Sequence, residues 1–323
     1  MEDDLKKFVL FLEQEIQKLD LPKSPENLYD PLRYFLKLGG KRIRPILTLL
    51  GADLFGEKYE NALSSALAIE YFHNFSLIHD DIMDEAPLRR TQETVHTKWN
   101  SNIAILSGDV LLIKAYQEIC KQKAEHLLEL MSVFNKTAIE VCEGQQLDMD
   151  FETRKSISVE EYIEMIRLKT SVLLGCALEF GAIIAEANTE DKVALYNFGQ
   201  NIGIAFQIQD DVLDLYAESA QFGKQIGGDI ISNKKTLLIL KAYELANPFQ
   251  KEFLLNITQI EDSALKIEQT KTIFAELGVK EEVLKIRDSY FEKGLTALNE
   301  IQVSKEKKST LIKLVDYLKS REV

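Results

Sequence analysis

From Glu57 to Asp84 the chain runs without a proline or a glycine, its apolar residues spaced for a helix, and it stops at Ala86-Pro87. Similar periodic stretches cover about 101–123, 125–149, 158–187, 190–215, 234–246, 248–275 and 279–322. Only 6 Pro and 15 Gly are spread over 323 residues rich in Leu, Ile, Ala, Glu and Lys. The fold class is therefore all-α. With 46% hydrophobic content the chain can bury a large core, as one big domain or as two of ordinary size.

The helix punctuation is explicit. Ser24-Pro25, Asp30-Pro31 and Asn247-Pro248 place a capping side chain before a proline at a first helical position. Gly39-Gly40 ends a helix, and Ser158 with Glu161 predicts a capping box. Two stretches read as loops, 85–97 and 216–233, and each follows an aspartate-rich helix end.

The net charge of -13 argues against nucleic acid or anionic membrane as a global partner. Residues 1–19 read as an acidic amphipathic helix, not a signal peptide, and SVLLGCALEFGAIIAEA, broken by Glu179, Gly175 and Gly181, reads as a buried helix rather than a membrane span. Cys120, Cys142 and Cys176 have no paired spacing and are expected to be reduced core thiols of a cytoplasmic protein.

The acidic motif that closes the first long helix, DDIMD at 80–84, recurs as DDVLD at 210–214. At 3.6 residues per turn Asp80 and Asp84 share a face, as do Asp210 and Asp214, and like charges so placed need compensation by bases, protons or a cation. A single such motif is often a solvated helix end. Two copies, each led in by an apolar helix, point instead to carboxylates lining a cleft. That chemistry suits Mg²⁺, which completes its shell with water and phosphate oxygens.

Basic residues supply the other half. GGKRIRP (39–45) sets Lys41, Arg42 and Arg44 at a helix mouth behind a diglycine that admits close backbone approach. Arg89 and Arg90 follow the first acidic motif, and Lys224 and Lys234 follow the second. Lys169, set amid MIRLKTSVLL, needs a partner. The combination suits two anionic groups, one held through metal and one held directly.

The ordered set GGKRIRP, EYFHNFSLIHDDIMD, LRR, AILSGD, GQQLD, LKT, FQIQDDVLD, FGKQIGGDI and NKKT resembles the trans-isoprenyl diphosphate synthases, or polyprenyl synthetases, along nearly the whole chain. The resemblance implies one domain over 1–323, a bundle of long helices around a central cavity, acting as a homodimer on isopentenyl diphosphate and allylic diphosphates. By the same resemblance Asp80, Asp84 and Asp210 coordinate Mg²⁺, three ions per site, with Asp81, Asp211 and Asp214 in support. Arg89, Lys169, Lys224 and Lys234 clamp the allylic diphosphate, whereas Lys41, Arg44, His73 and Arg90 hold isopentenyl diphosphate without metal. Thr170 and Gln207 direct dipoles at the developing cation. His73 lies two turns before Asp80 on the same stripe, and His79, His96 and Gln145 are expected behind the reacting groups.

Product length should be read along the helix that ends at Asp80. At roughly 100° per residue Ser76 lies about 40° from Asp80, Phe72 about 80° and Phe75 about 140°. Small Ser76 leaves the tunnel open, and Phe72 and Phe75 are candidate floors. The resemblance favours Phe75 and a C20 product, geranylgeranyl diphosphate, over C15, farnesyl diphosphate. A class I terpene cyclase shares the acidic helix but has no use for the metal-free anion site. A non-catalytic helical partner has no reason to keep both motifs and every cation.

Overall fold

The computed structural model describes residues 2–217 and 226–320. The helices are α1 (Glu2–Gln17), α2 (Glu26–Lys37), α3 (Ile43–Phe55), α4 (Leu63–Met83), α5 (Val95–Lys98), α6 (Ser101–Ile119), α7 (Ala124–Thr153) and α8 (Val159–Ile166). They continue as α9 (Val172–Ile184), α10 (Thr189–Tyr216), α11 (Gly228–Ile231), α12 (Leu237–Leu245), α13 (Pro248–Ile257), α14 (Ser263–Leu277), α15 (Val279–Glu300) and α16 (Lys305–Ser320). Among the described residues the one sheet is a hairpin of β1 (Leu88–Arg89) and β2 (Gln92–Glu93). The all-α class is thus as expected, and no described helix is long and apolar enough to cross a membrane.

Caps explain several boundaries. Ser158 Oγ accepts from the Glu161 amide at 3.2 Å while Glu161 accepts from the Ser158 amide at 2.8 Å, and Asn247 and Gln250 make the same reciprocal pair. Asp262 caps α14 through the Leu265 amide and divides the expected 248–275 helix in two. The Asp30-Pro31 expectation is corrected: Pro31 sits inside α2 and is buried with Leu32, Phe35 and Leu36. Burial of that face outweighs the hydrogen bond that proline cannot donate. Pro25 is itself the N-cap residue of α2. The cysteine expectation holds for Cys176, whereas Cys120 and Cys142 are exposed, because neither lies on the stripe its helix buries.

Contacts group the chain into two compact units, each drawn from three stretches. The first comprises Met1–Thr137, Leu173–Tyr196 and Glu300–Lys313, and the second Ala138–Val172, Asn197–Asn299 and Leu314–Val323. In the first, α4 packs on α3 and α6, and Phe72, Phe134 and Phe180 stack in series with ring centroids 5.2 and 6.4 Å apart. Its α3 and α9 touch backbone to backbone. A Cβ on Gly181 would lie 2.3 Å from the Thr48 carbonyl oxygen, and one on Gly51 would lie 2.5 Å from that of Leu178. The small residues of the apolar window therefore serve close helix packing. The second unit centres on Tyr162, Ile208, Val212, Leu237, Phe274 and Val283.

Glu179 is the charged residue within that apolar helix. Burial, then the charge of Glu129, pushes its carboxyl up to about 7, against the opposing pull of Lys136 and Lys192. A carboxyl raised from an unfolded value of 4.5 contributes stability that is complete below pH 4.5 and lost as the pH climbs through 7. Glu179→Gln, which keeps the neutral shape, should therefore raise the melting temperature at pH 8. The expected gain, on the order of 2 kcal/mol, should vanish near pH 5. Equal effects at both pH values in thermal melts would contradict this.

Candidate active site

In the first unit α4 carries the first acidic motif to its C-terminal turn. The Ala86 amide donates to Asp81 O at 3.0 Å and the Glu85 amide to Ile82 O at 3.3 Å, a Schellman stop with Glu85 at positive φ. Asp84, the C-cap, is exposed and Asp80 half-buried, but Asp81 turns inward and is 1% exposed. Arg89 holds Asp81 through Nε, 2.9 Å from each carboxylate oxygen, and Nη2 at 2.8 Å. Burial raises the Asp81 pKa, and Arg89 works against that rise.

The expected loop 85–97 contains a tight hairpin instead. Leu88 pairs with Glu93 and Arg89 with Gln92, and the two turn residues, Arg90 and Thr91, both have positive φ. This is the backbone of a type I′ turn, built without glycine. It sends Arg89 to Asp81 and Arg90 to the diglycine. A Cβ on Gly40 would meet both terminal nitrogens of Arg90 at 2.7 Å. The close approach expected at GGKRIRP is therefore made by a guanidinium.

Around this point a basic cluster forms. Arg44 Nη1 and His73 Nε2 are 3.1 Å apart, and Arg44 Nε is buried with no hydrogen-bond partner. Burial pushes the Arg44 pKa down to about 10. His73 is held well below the usual imidazole range by burial, then by Arg44, Arg89, Arg90 and Arg42. Concentrated positive charge and an orphaned donor fit an anion bound without metal. Arg42 is not at the mouth of this cluster. It is 4% exposed, in the left-handed region, and bound by Glu70, by Glu13 at 2.9 Å and by Leu36 O at 2.9 Å. Lys41 is exposed.

The second unit repeats the design of the acidic motif on α10. Asp210 and Asp214 are half-buried, and Asp211 is 5% exposed, turned onto the Tyr162 hydroxyl and the Gln207 amide. Thr170 Oγ1 donates to Gln207 Oε1 at 3.3 Å and Gln207 Nε2 donates to Asp211 Oδ1 at 3.2 Å. Thr170, Gln207, Asp211 and Tyr162 therefore form one chain of hydrogen bonds. Burial, then the charge of Asp229, pushes the Asp211 carboxyl up to about 8.

Lys169 and Thr170 sit on a π-turn, Arg167–Ser171, between α8 and α9. Such one-residue insertions recur at functional sites. The partner that Lys169 requires is Asp148 on α7, at 2.5 Å. A Cβ on Gly144, one turn before Asp148, would lie 2.2 Å from the Lys169 amide nitrogen, so the glycine lets α7 reach the bulge. Asp148, Lys169 and Thr170 line a cavity of about 520 Å³ together with Asp229, Asn233, Lys234 and Lys235. Lys224 lies outside the described residues.

Sequence reasoning gave no role to Asp148, Tyr162, Asp229 or Lys235. Asp148 and Asp229 lay within the motifs GQQLD and FGKQIGGDI, which was the available signal. Asp229 is placed by Asp214, whose Oδ2 accepts the Asp229 amide at 3.0 Å. Lys235 Nζ donates to Phe151 O at 2.8 Å near the end of α7. A hard divalent cation fits both motifs. Each offers carboxylate oxygens one helical turn apart, and in the second, burial and the neighbouring charges of Asp229 and Asp210 raise the Asp211 pKa, a concentration of negative charge that suits a cation.

Along α4, Phe72 is 1% exposed, whereas Phe75 is half-buried with its ring 4.6 Å from that of His79. Ser76 is half-buried and its hydroxyl donates to His73 O at 2.9 Å. His79 Nε2 lies 3.1 Å from Ile105 O, and buried atoms of His96 and Gln145 have no hydrogen-bond partner.

The polyprenyl synthetase family model matches residues 25–277. The geranylgeranyl diphosphate synthase of Methanosarcina mazei is 39% identical, over 99% of this chain and 98% of that protein. A geranylfarnesyl diphosphate synthase of Natronomonas pharaonis is 42% identical, over 68% of this chain and 70% of its own length. Among solved structures, the geranylgeranyl pyrophosphate synthetase of Pyrococcus horikoshii superimposes with a TM-score of 0.92 at 35% identity, covering 99% of this chain and 98% of that one.

Gly40→Ala tests the basic cluster. The clash falls on the far end of a flexible arginine, so Arg90 is displaced, and because φ at Gly40 is +144° the side chain also strains the backbone, which a thermal melt of the variant measures separately. Metal-free inorganic pyrophosphate, measured by calorimetry with a chelator present, should bind about tenfold more weakly, a loss of about 1.4 kcal/mol. Unchanged affinity would remove Gly40 and Arg90 from the anion site.

Proposed function

The chain belongs to the polyprenyl synthetase family, and on that premise we propose that it condenses isopentenyl diphosphate head to tail with allylic diphosphates and stops at C20, geranylgeranyl diphosphate. The observation that carries this reading is one chain holding both two DDxxD motifs of the same build and a separate arginine–histidine cluster with an unsatisfied buried donor. A cyclase needs only the first of these.

In this reading Asp80, Asp84 and Asp210 hold Mg²⁺, three ions per site. Asp81, Asp211 and Asp214 fix the backbone and charge around them. Bound there, the metal supplies Lewis-acid stabilisation of the departing diphosphate. Arg89, Lys169, Lys234 and Lys224 add cationic donors to the same group, with Lys169 steadied by Asp148. Lys41, Arg44, His73 and Arg90 grip isopentenyl diphosphate. His73 has its pKa held low by its surroundings, so it enters as a neutral hydrogen-bond partner rather than as a cation.

No protein nucleophile is required. Cleavage of the allylic carbon–oxygen bond leaves a delocalised cation, and Thr170 and Gln207, hydrogen-bonded to each other at 3.3 Å beside the cavity, would favour such a charge through their oxygen dipoles. The double bond of isopentenyl diphosphate attacks that cation, a new carbon–carbon bond forms, and the departed pyrophosphate takes the proton released. Holding both substrates in register supplies much of the remaining acceleration. A cytoplasmic homodimer, with 1–323 as one catalytic domain, completes the proposal.

Isopentenyl diphosphate offered with dimethylallyl, geranyl or farnesyl diphosphate should give linear C20 as the end product by chromatography. Cyclised products, or no use of isopentenyl diphosphate, would overturn the reading, and an end point of C15 or C25 would correct its length. Phe75→Ala should lengthen the product. Phe75 is the better probe, because emptying the fully buried Phe72 site costs about 3–5 kcal/mol of stability. An unchanged product would remove Phe75 as the tunnel floor.

A further inference from the structure

Away from both acidic motifs, the first turn of α7 meets the C-terminal turn of α9 within the first unit. There His126 is 5% exposed, and neither of its ring nitrogens has a hydrogen-bond partner. Its Nε2 faces two carboxylates, Glu186 Oε1 at 3.5 Å and Glu125 Oε1 at 3.9 Å, and one ligand atom from each of the three residues falls within 4.8 Å of the others.

These separations are too long for hydrogen bonds and suit a shared ion. Four-coordinate Zn²⁺ with bonds of about 2.0–2.2 Å places its ligands roughly 3.3–3.5 Å apart. The imidazole is already beyond the reach of water, while the glutamates, with side chains 63% and 67% exposed, can close the remaining gap. Lys123, 3.5 Å from Glu125, is a competing cation on the same carboxylate. An imidazole nitrogen in the set favours a transition ion over Mg²⁺.

We propose that Glu125, His126 and Glu186 form a Zn²⁺-class site that ties α7 to α9. It is a structural clamp and takes no part in prenyl transfer, so it stands or falls independently of the function proposed above. The Glu186 backbone offers a clean test. The Glu186 amide donates to Ile183 O and the Ala187 amide to Ala182 O, with Glu186 at φ 53, the position of a Schellman stop where glycine is usual. Glu186→Gly therefore removes a ligand while easing the backbone.

The chain has 4 His, so ring-nitrogen NMR of the full protein resolves each, with His126→Gln identifying its own signals. One equivalent of Zn²⁺ alone should shift the His126 ring signals and raise the melting temperature. In Glu186→Gly the zinc-free melting temperature should not fall, whereas zinc affinity should drop at least tenfold and the zinc-dependent rise disappear. If Zn²⁺ moves only other histidines, or none, the site does not exist. Parental zinc affinity in Glu186→Gly would overturn it equally.

Discussion

The arrangement of both acidic motifs depends on turning one carboxylate of each away from its neighbours. Five-residue segments with three aspartates would repel themselves apart if every side chain faced one way. Asp81 instead goes inward onto Arg89, and Asp211 inward onto Tyr162 and Gln207. One motif spends a full countercharge and the other only neutral donors. Burial, then the charge of Asp229, pushes the Asp211 carboxyl up to about 8, and the Tyr162 and Gln207 hydrogen bonds work against that rise. The inward residue anchors the helix end, and the two others of each motif stand one turn apart.

That anchoring links chemistry to backbone. Arg89 reaches Asp81 because a two-residue turn reverses the chain at Arg90 and Thr91, and the same turn delivers Arg90 to Gly40. Two adjacent arginines thereby serve different ends. The left-handed conformations of Arg90 and Thr91 cost energy in an L-residue chain, and strain of this kind collects at binding sites. Arg42, fourth in GGKRIRP after the diglycine pair and Lys41, is withdrawn into a buried ion pair and holds the approach to α3 in place.

Much of this was legible in the amino-acid order. Alternation of apolar runs with Ser, Asn and Asp caps gave the helices, since caps and periodicity act over a few residues. The demand of Lys169 for a partner followed from its apolar neighbours. Which acid met it did not, because Asp148 lies 21 positions away and the pairing is set by tertiary packing at Gly144. Tyr162 was illegible for the same reason, its hydroxyl meeting Asp211 across 49 positions. Pro31 misled because a proline after an aspartate normally opens a helix, and only burial of its face shows otherwise. Cys120 and Cys142 misled because a small residue within an apolar run need not lie on its buried side.

The π-turn at Arg167–Ser171 has a consequence for how this chain can vary. It contains one residue more than a regular turn, wedged where Gly144 leaves room for backbone alone. Losing any one residue there would restore an unbroken regular helix from α8 to α9 and remove the wide turn that sets the Lys169 backbone against Gly144. Substitutions in this segment can be absorbed singly, but its length cannot drift without tearing Lys169 from Asp148. Insertions and deletions should therefore be far rarer here than the ordinary helical composition of the segment suggests.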